Sequence, residues 1–226
     1  GRTQNESGLY VGVTWRPARR WLLTGYSDLA YFAWARYQVS QSSYAWDNHL
    51  QATYTAPRWS LSARYRLHLR QRDSKDKTQL ADRLEHRSRL SYSYDTPWGL
   101  LLQTQADLAY TDYDGPDLGY MVSQHLSTRL RSLRIDAGAG YFHTDGYDSR
   151  LYLYERAPLY QFTFPMFYGE GIRLAILAQA HVGRNLMLLM KIATTDYFDR
   201  AVISSGLQQI DASSQTDLTL QLHYSF

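Results

Sequence analysis

The sequence predicts an all-β fold, a transmembrane antiparallel β-barrel, and three observations carry that prediction. Apolar and polar residues alternate with a period of two along nearly the whole chain, so successive side chains fall on a greased face and a wetted face. The connections between the alternating segments are by turns short and long, as in outer-membrane barrels with tight periplasmic turns and longer outside loops. The aromatic residues, 20 Tyr and 6 Trp among 226 residues, gather toward segment ends, where amphipathic rings sit at bilayer interfaces.

Taken in order, the alternation places strands at residues 9–15, 21–37, 44–54, 59–69, 80–94, 98–110, 118–130, 133–141, 172–182, 186–194 and 218–226. The last is the plainest. Leu218, Leu220, Leu222, Tyr224 and Phe226 share one face, and Asp217, Thr219, Gln221, His223 and Ser225 share the other. Its aromatic end, Tyr224 and Phe226, is the expected signal for the barrel-assembly machinery, a partner alongside outer-membrane lipid. Several segments exceed the roughly 9 to 11 residues that cross a bilayer at a tilt, so their ends are expected to project beyond it.

Short connections fall at 16–20, 56–58, 95–97, 131–132 and 183–184, and long ones at 38–43, 70–79, 111–117, 143–171 and 195–216. Trp15, Trp21, Trp59 and Trp98 stand beside short turns, whereas Trp34 and Trp46 flank a long connection, as two interfacial girdles would. The stretch from Trp21 to Trp34, at about 3.3 Å per residue and a tilt near 45°, covers about 30 Å, the depth of a hydrocarbon core.

Eleven strands is an odd number, and single-chain bacterial barrels have even counts. The first and last strands then run the same way and do not pair antiparallel. Reading 150–155 and 159–164 as two more strands leaves the parity unchanged. The expectation is a single domain over residues 1–226 that is the C-terminal portion of a larger barrel, with further strands before Gly1 or on a partner subunit.

Composition narrows the function classes. A net charge of +3 and a pI near 9.0 are too mild to imply nucleic acid. No run of 18 apolar residues exists, so no transmembrane helix is expected. Residues 1–7 are polar and carry no secretory signal, and an exported protein is then expected to begin here at a processed or truncated end. The absence of Cys excludes a disulfide framework.

The stretches 143–155 (HTDGYDSRLYLYE) and 159–171 (LYQFTFPMFYGEG), with Tyr197-Phe198-Asp199-Arg200 and 203–210 (ISSGLQQI), resemble the C-terminal region of a Bacteroidota family of outer-membrane proteins. In that family a periplasmic helix-hairpin-helix segment precedes a barrel. The resemblance covers most of the chain and is most specific from Tyr141 onward. It implies a longer parent chain. The helix-hairpin-helix itself is not in these residues, so nucleic-acid handling stands as an implication of the family alone.

The wetted phase of the middle strands is strongly basic. Arg64, Arg66, Arg70, Arg83, Arg87, Arg89, Arg129 and Arg134 share it with His49, His68 and His125, against the fewer acids Asp47, Glu85, Asp107 and Asp136. A basic wall favours anionic solutes in a pore. The alternative is that Arg and acid pair across the lumen and fill it.

The aromatic loop 143–171, with Tyr160, Phe162, Phe164, Phe167 and Tyr168, has three readings: a plain hairpin above the membrane, an inward plug, or a partner-binding surface. The plain hairpin is the default. Asp112, Asp114 and Asp117 around Gly115-Pro116 offer oxygens to calcium, yet Asp, Gly and Pro are equally ordinary turn formers. His143, Asp145 and Ser149 contain hydrolase-type residue types without a nucleophile motif, and a chance loop cluster is the better reading. Phosphate loops and metal-ligand spacings are absent, so neither an enzyme nor a cofactor is expected. The functional expectation is a conduit for polar solutes, anionic ones among them, with a non-conducting subunit of an outer-membrane assembly as the alternative.

Overall fold

In the computed structural model, which describes residues 5–74, 76, 78–162 and 164–225, an antiparallel sheet of eleven strands carries the chain. The strands are β1 (Glu6–Trp15), β2 (Trp21–Phe32), β3 (Ser43–Thr55), β4 (Trp59–Asp73), β5 (Leu80–Asp95), β6 (Leu100–Asp112), β7 (Pro116–Leu130), β8 (Leu133–Thr144), β11 (Glu170–Val182), β12 (Leu186–Tyr197) and β13 (Ser214–Tyr224). Among the described residues, two short strands, β9 (Leu151–Tyr152) and β10 (Met166–Phe167), pair with each other, and a 3₁₀ turn spans Gly206–Gln208. Each long strand neighbours the next in sequence, and β1 and β13 are the two ends of the order. No helix among the described residues is long and apolar enough to cross a membrane. The fold is therefore all-β, an antiparallel sheet in which long strands that are neighbours in sequence pair, as the alternation dictates.

The chain divides into two compact units, one made of Gly1–Leu90 with Asp107–Leu118, the other of Ser91–Ala106 with Gly119–Phe226. In the first unit, register pairs such as Tyr26↔His49, His49↔Arg66 and Gln51↔Arg64 line up one polar face across β2, β3 and β4. The opposite face carries Leu29, Leu50, Leu61 and Tyr65, all exposed. In the second unit the same rule puts Leu174, Ile176, Leu188, Met190, Ile192, Leu218, Leu220 and Leu222 on one exposed apolar face. From Ile172 to Val182 this band is about 25 Å tall after allowing for strand tilt, the height of the apolar belt of an outer-membrane barrel. Exposed aliphatic rows of this extent are stable only against lipid or a partner.

The strand tryptophans follow the same face. Trp15, Trp21, Trp46 and Trp59 are all exposed on it, and Trp34 and Trp98 are exposed in the flanking connections. At the short-turn end, Trp21, Tyr54 and Trp59 stand in a row, edge-to-face and then tilted, with ring centroids 5.2 and 5.0 Å apart, and Arg20 donates to the Tyr54 hydroxyl. Apolar rings with a polar tip at one rim are what a lipid headgroup layer selects.

Two segments depart from the sequence expectation. The strand expected over 21–37 stops at Phe32, because Arg36 and Val39 exchange backbone hydrogen bonds of 2.8 and 3.0 Å around a tight turn in which Gln38 has φ +60°. The guanidinium of Arg36 lies over the Phe32 ring and donates to Ser43, fixing that turn. The strands expected over 150–155 and 159–164 shrink to β9 and β10, with irregular chain between them. Phe226 lies outside the described residues, so its part in the C-terminal signal has no structural counterpart here, whereas Tyr224 ends β13 opposite Leu186.

Putting a charge on the apolar face has a large expected cost. Ile176 sits at the middle of β11, and Ile176→Arg is expected to lose about 2–4 kcal/mol of insertion free energy. Gln179→Arg, three residues on and facing the other way, is expected to insert normally. Refolding yield into lipid vesicles measures both.

Candidate functional site

The polar face of the first unit is an array of arginines from β4 and β5 held by strand alternation. Arg66 grips Asp47 in a two-pronged contact through Nε and Nη2, the Nε to Oδ1 bond being 2.9 Å. Arg83 reaches Glu85 at 3.5 Å, and Arg87 bonds the same carboxylate. Arg89 donates to Asp107 of β6 at 2.5 Å, and Arg70 donates to the His68 ring at 3.0 Å. Arg64 has no ion-pair partner among the described residues. Asp28, which pairs in register with Asp47, is a further acid on this face that sequence reading passed over. Arg72 of β4 and, among the acids, Glu6 of β1 and Asp117 of β7 share this face by strand parity, and most of its arginines are engaged with carboxylates.

In the second unit, Arg134 donates to Asp136 at 3.0 Å, and Arg129 stands opposite Arg134 in the β7–β8 register, exposed at the short-turn end. The dominant feature here is the segment 145–169. It is not a hairpin standing clear of the sheet, which corrects the default sequence reading. It lies on the polar face as a strap. Leu151, Leu153 and Phe167 are buried with Met121, Phe142 and Leu177 of the wall, and the Phe142 and Phe167 rings stand 4.9 Å apart.

The strap starts and ends at the long-loop rim, where Thr144 and Gly169 exchange two 2.8 Å hydrogen bonds. From there it reaches far down the wall. Arg156 lies 3.5 Å from Asp136, and Leu159 exchanges two bonds, 2.9 and 3.1 Å, with the Gln221 side chain of β13. Gln221 stands seven residues from the start of β13 at Ser214, so the strap descends about 24 Å along the strand.

The physical reason is the composition of that wall. Its inward positions on β8, β11 and β12 include Gly138, Gly140, Phe142, Ala175, Leu177, Leu189 and Ala193, which are small or apolar and need a cover. Of the aromatic residues singled out in the loop, Phe167 packs into this cover. Tyr168 sits under the Arg200 guanidinium, 4.5 Å from its ring centre, while Tyr160, Phe162 and Phe164 remain exposed.

At the centre of the strap, Glu155 forms a buried ion cluster that sequence reading did not find. Its side chain is 3% exposed. Arg173 of β11 donates to its two oxygens at 2.7 and 3.0 Å, Lys191 of β12 donates at 2.9 Å, and Arg173 also donates to Thr195 at 2.9 Å. Burial works to raise the Glu155 carboxyl, but the hydrogen bonds from Arg173 and Lys191 outweigh it and hold the group below the ordinary carboxylate range. Beside the rim, Asp199 is likewise held low, first by the hydrogen bond from Arg200.

The hydrolase-type trio does not assemble. His143 lies with Tyr120 on the apolar side of the rim, 3.5 Å from Asp145, while Ser149 is wholly buried on the polar side against Gly119. No group of three or more His, Cys, Asp or Glu that could hold a metal occurs among the described residues, Asp112, Asp114 and Asp117 included.

Gly119 explains part of the strap's seating. A Cβ there would stand 2.5 Å from the Ser149 carbonyl oxygen, so the backbones approach more closely than any other residue allows. Gly119→Ala is expected to cost about 1–3 kcal/mol, read as a lower urea midpoint of the refolded protein in micelles.

No protein-family model matches the chain, and no curated protein matches it either. Among solved structures it is similar to the translocator domain of an autotransporter, NalP, from Neisseria meningitidis, at 13% identity and a TM-score of 0.28, covering 98% of this chain and 80% of that one. A likeness this loose assigns nothing to individual residues.

Proposed function

We propose that this chain works in the bacterial outer membrane as a conduit for anionic polar solutes, without covalent chemistry of its own. The observation that carries this reading is the arginine-rich polar face of the first unit, whose opposite face carries the exposed Leu29, Leu50, Leu61 and Tyr65. Charged walls of one sign set which ions a pore admits, because the field acts on the ion while lipid contacts lie on the other side of the sheet. A non-conducting role in an outer-membrane assembly is the second reading, favoured by the strap that covers the polar face of the second unit.

Reversing charge at Arg64, Arg66 and Arg87 together tests the first reading. In planar bilayers under a salt gradient, the wild-type protein is expected to prefer chloride over potassium and the triple Glu variant to lose or invert that preference while inserting equally well. The difference should shrink as salt rises, since mobile ions screen exposed charge. A protein that inserts and never conducts removes the conduit and leaves the assembly role.

A further inference from the structure

We infer that Arg173 and Lys191 form a binding site for small carboxylate solutes, and that Glu155 occupies it in the strapped state as an internal stand-in for such a ligand. This rests on the conduit reading and names a class of solute for it.

Three observations meet here. Two buried cations converge on one carboxylate, with the two-pronged geometry by which guanidinium groups read carboxylates. Removing Glu155 would leave both cations buried without an anion, a state that an incoming carboxylate relieves. Beside them, one cross-strand row runs Ser123, Gly140, Arg173, Thr195 over β7, β8, β11 and β12. In that row the Ser123 hydroxyl is buried and has no hydrogen-bond partner.

The missing Cβ at Gly140 opens a recess between Ser123 and Arg173. Leu153 of the strap fills it, 3.7 Å from where that Cβ would stand. Withdrawal of the strap therefore exposes a cationic fork for carboxylates, an apolar recess and an orphan hydroxyl together. Between β9 and β10 the strap's links to the wall are chiefly side-chain bonds at Glu155, Arg156 and Leu159, so it can leave without breaking a long ladder.

Acetate is the probe. The chain has no Cys, so Ser149→Cys introduces one thiol at a position that is 0% exposed, and its labelling rate reports strap release. In that background acetate is expected to speed labelling, whereas chloride and phosphate at equal ionic strength are not. Equal acceleration by all three means screening alone and overturns the proposal.

In Glu155→Ala, circular dichroism and heat-modifiable migration establish folding, and carbon-13 acetate NMR reads binding. Acetate is expected to bind it roughly tenfold or more tightly than wild type, and Arg173→Met or Lys191→Met to abolish the gain. A folded Glu155→Ala protein that takes up no acetate, or that keeps binding it after both Met substitutions, refutes the site. If Glu155→Ala does not fold, the thiol experiment decides alone. A lack of bilayer conductance would remove the conduit without touching either acetate result.

Discussion

Replacing Glu155 by alanine is expected to release residues 145–169 from the polar face and to cost about 3–5 kcal/mol of the stability of the strapped state, the range for removing one partner of a buried ion cluster. The effect is large because the loss is not one hydrogen bond but the anion that neutralises Arg173 and Lys191. Labelling of a thiol at Ser149 should speed up, and conductance should rise if the strap narrows the path.

Acid should mimic the substitution, and the sign follows from the lowered carboxyl. A group held below its ordinary value contributes stability that is fully present above that value and is lost as pH falls through the folded one. The strap should therefore stay seated at pH 5 and release only below about pH 4, beneath the ordinary Glu value. Dithiodipyridine, which reacts with thiols in acid, provides the readout. Arg173 and Lys191 are the cations that face the carboxylate. His125 of β7 also lies within electrostatic reach of Glu155. Release near pH 6 would point to a histidine rather than Glu155.

The second large effect is the arginine at Ile176. Its expected loss of insertion depends on the sheet having one lipid face throughout the second unit, where Leu174, Ile176, Met190, Ile192, Leu218 and Leu220 form adjacent rows. A row of that kind accepts no guanidinium near the midplane without a cost comparable to a third of a domain's stability. Full insertion of Ile176→Arg with failure of Gln179→Arg would mean that the two faces are assigned the wrong way round.

The strands were legible because period-two alternation survives in every long one, down to Arg64 and Arg66 falling on the face opposite Leu61 and Tyr65. The tryptophans were legible for the same reason, since lipid and headgroups act on one face and one depth at a time. The strap was not legible. The outward phase is the same along the whole sheet, whereas the inward phase changes character, from Arg64, Arg66, Arg87 and Arg89 on β4 and β5 to Gly140, Ala175, Leu177 and Ala193 on β8, β11 and β12. An apolar inward row in a wetted wall is the signal that something covers it. Glu155 could not be located from sequence, because its partners lie 18 and 36 residues away and only the descent of the strap brings them together. The end of β2 at Phe32 was missed for a smaller reason, as Arg36 closes a turn within a stretch whose aromatic spacing still reads as a strand.

The central claim is that one face of this sheet meets water and the other meets lipid, and single-cysteine accessibility in reconstituted vesicles tests it most directly. With no native Cys to compete, Arg64→Cys and Arg66→Cys should react with a charged, membrane-impermeant maleimide, while Ile176→Cys and Leu220→Cys should react only with a lipid-soluble one. Protection of positions 64 and 66 together with aqueous labelling at 176 and 220 would contradict the account.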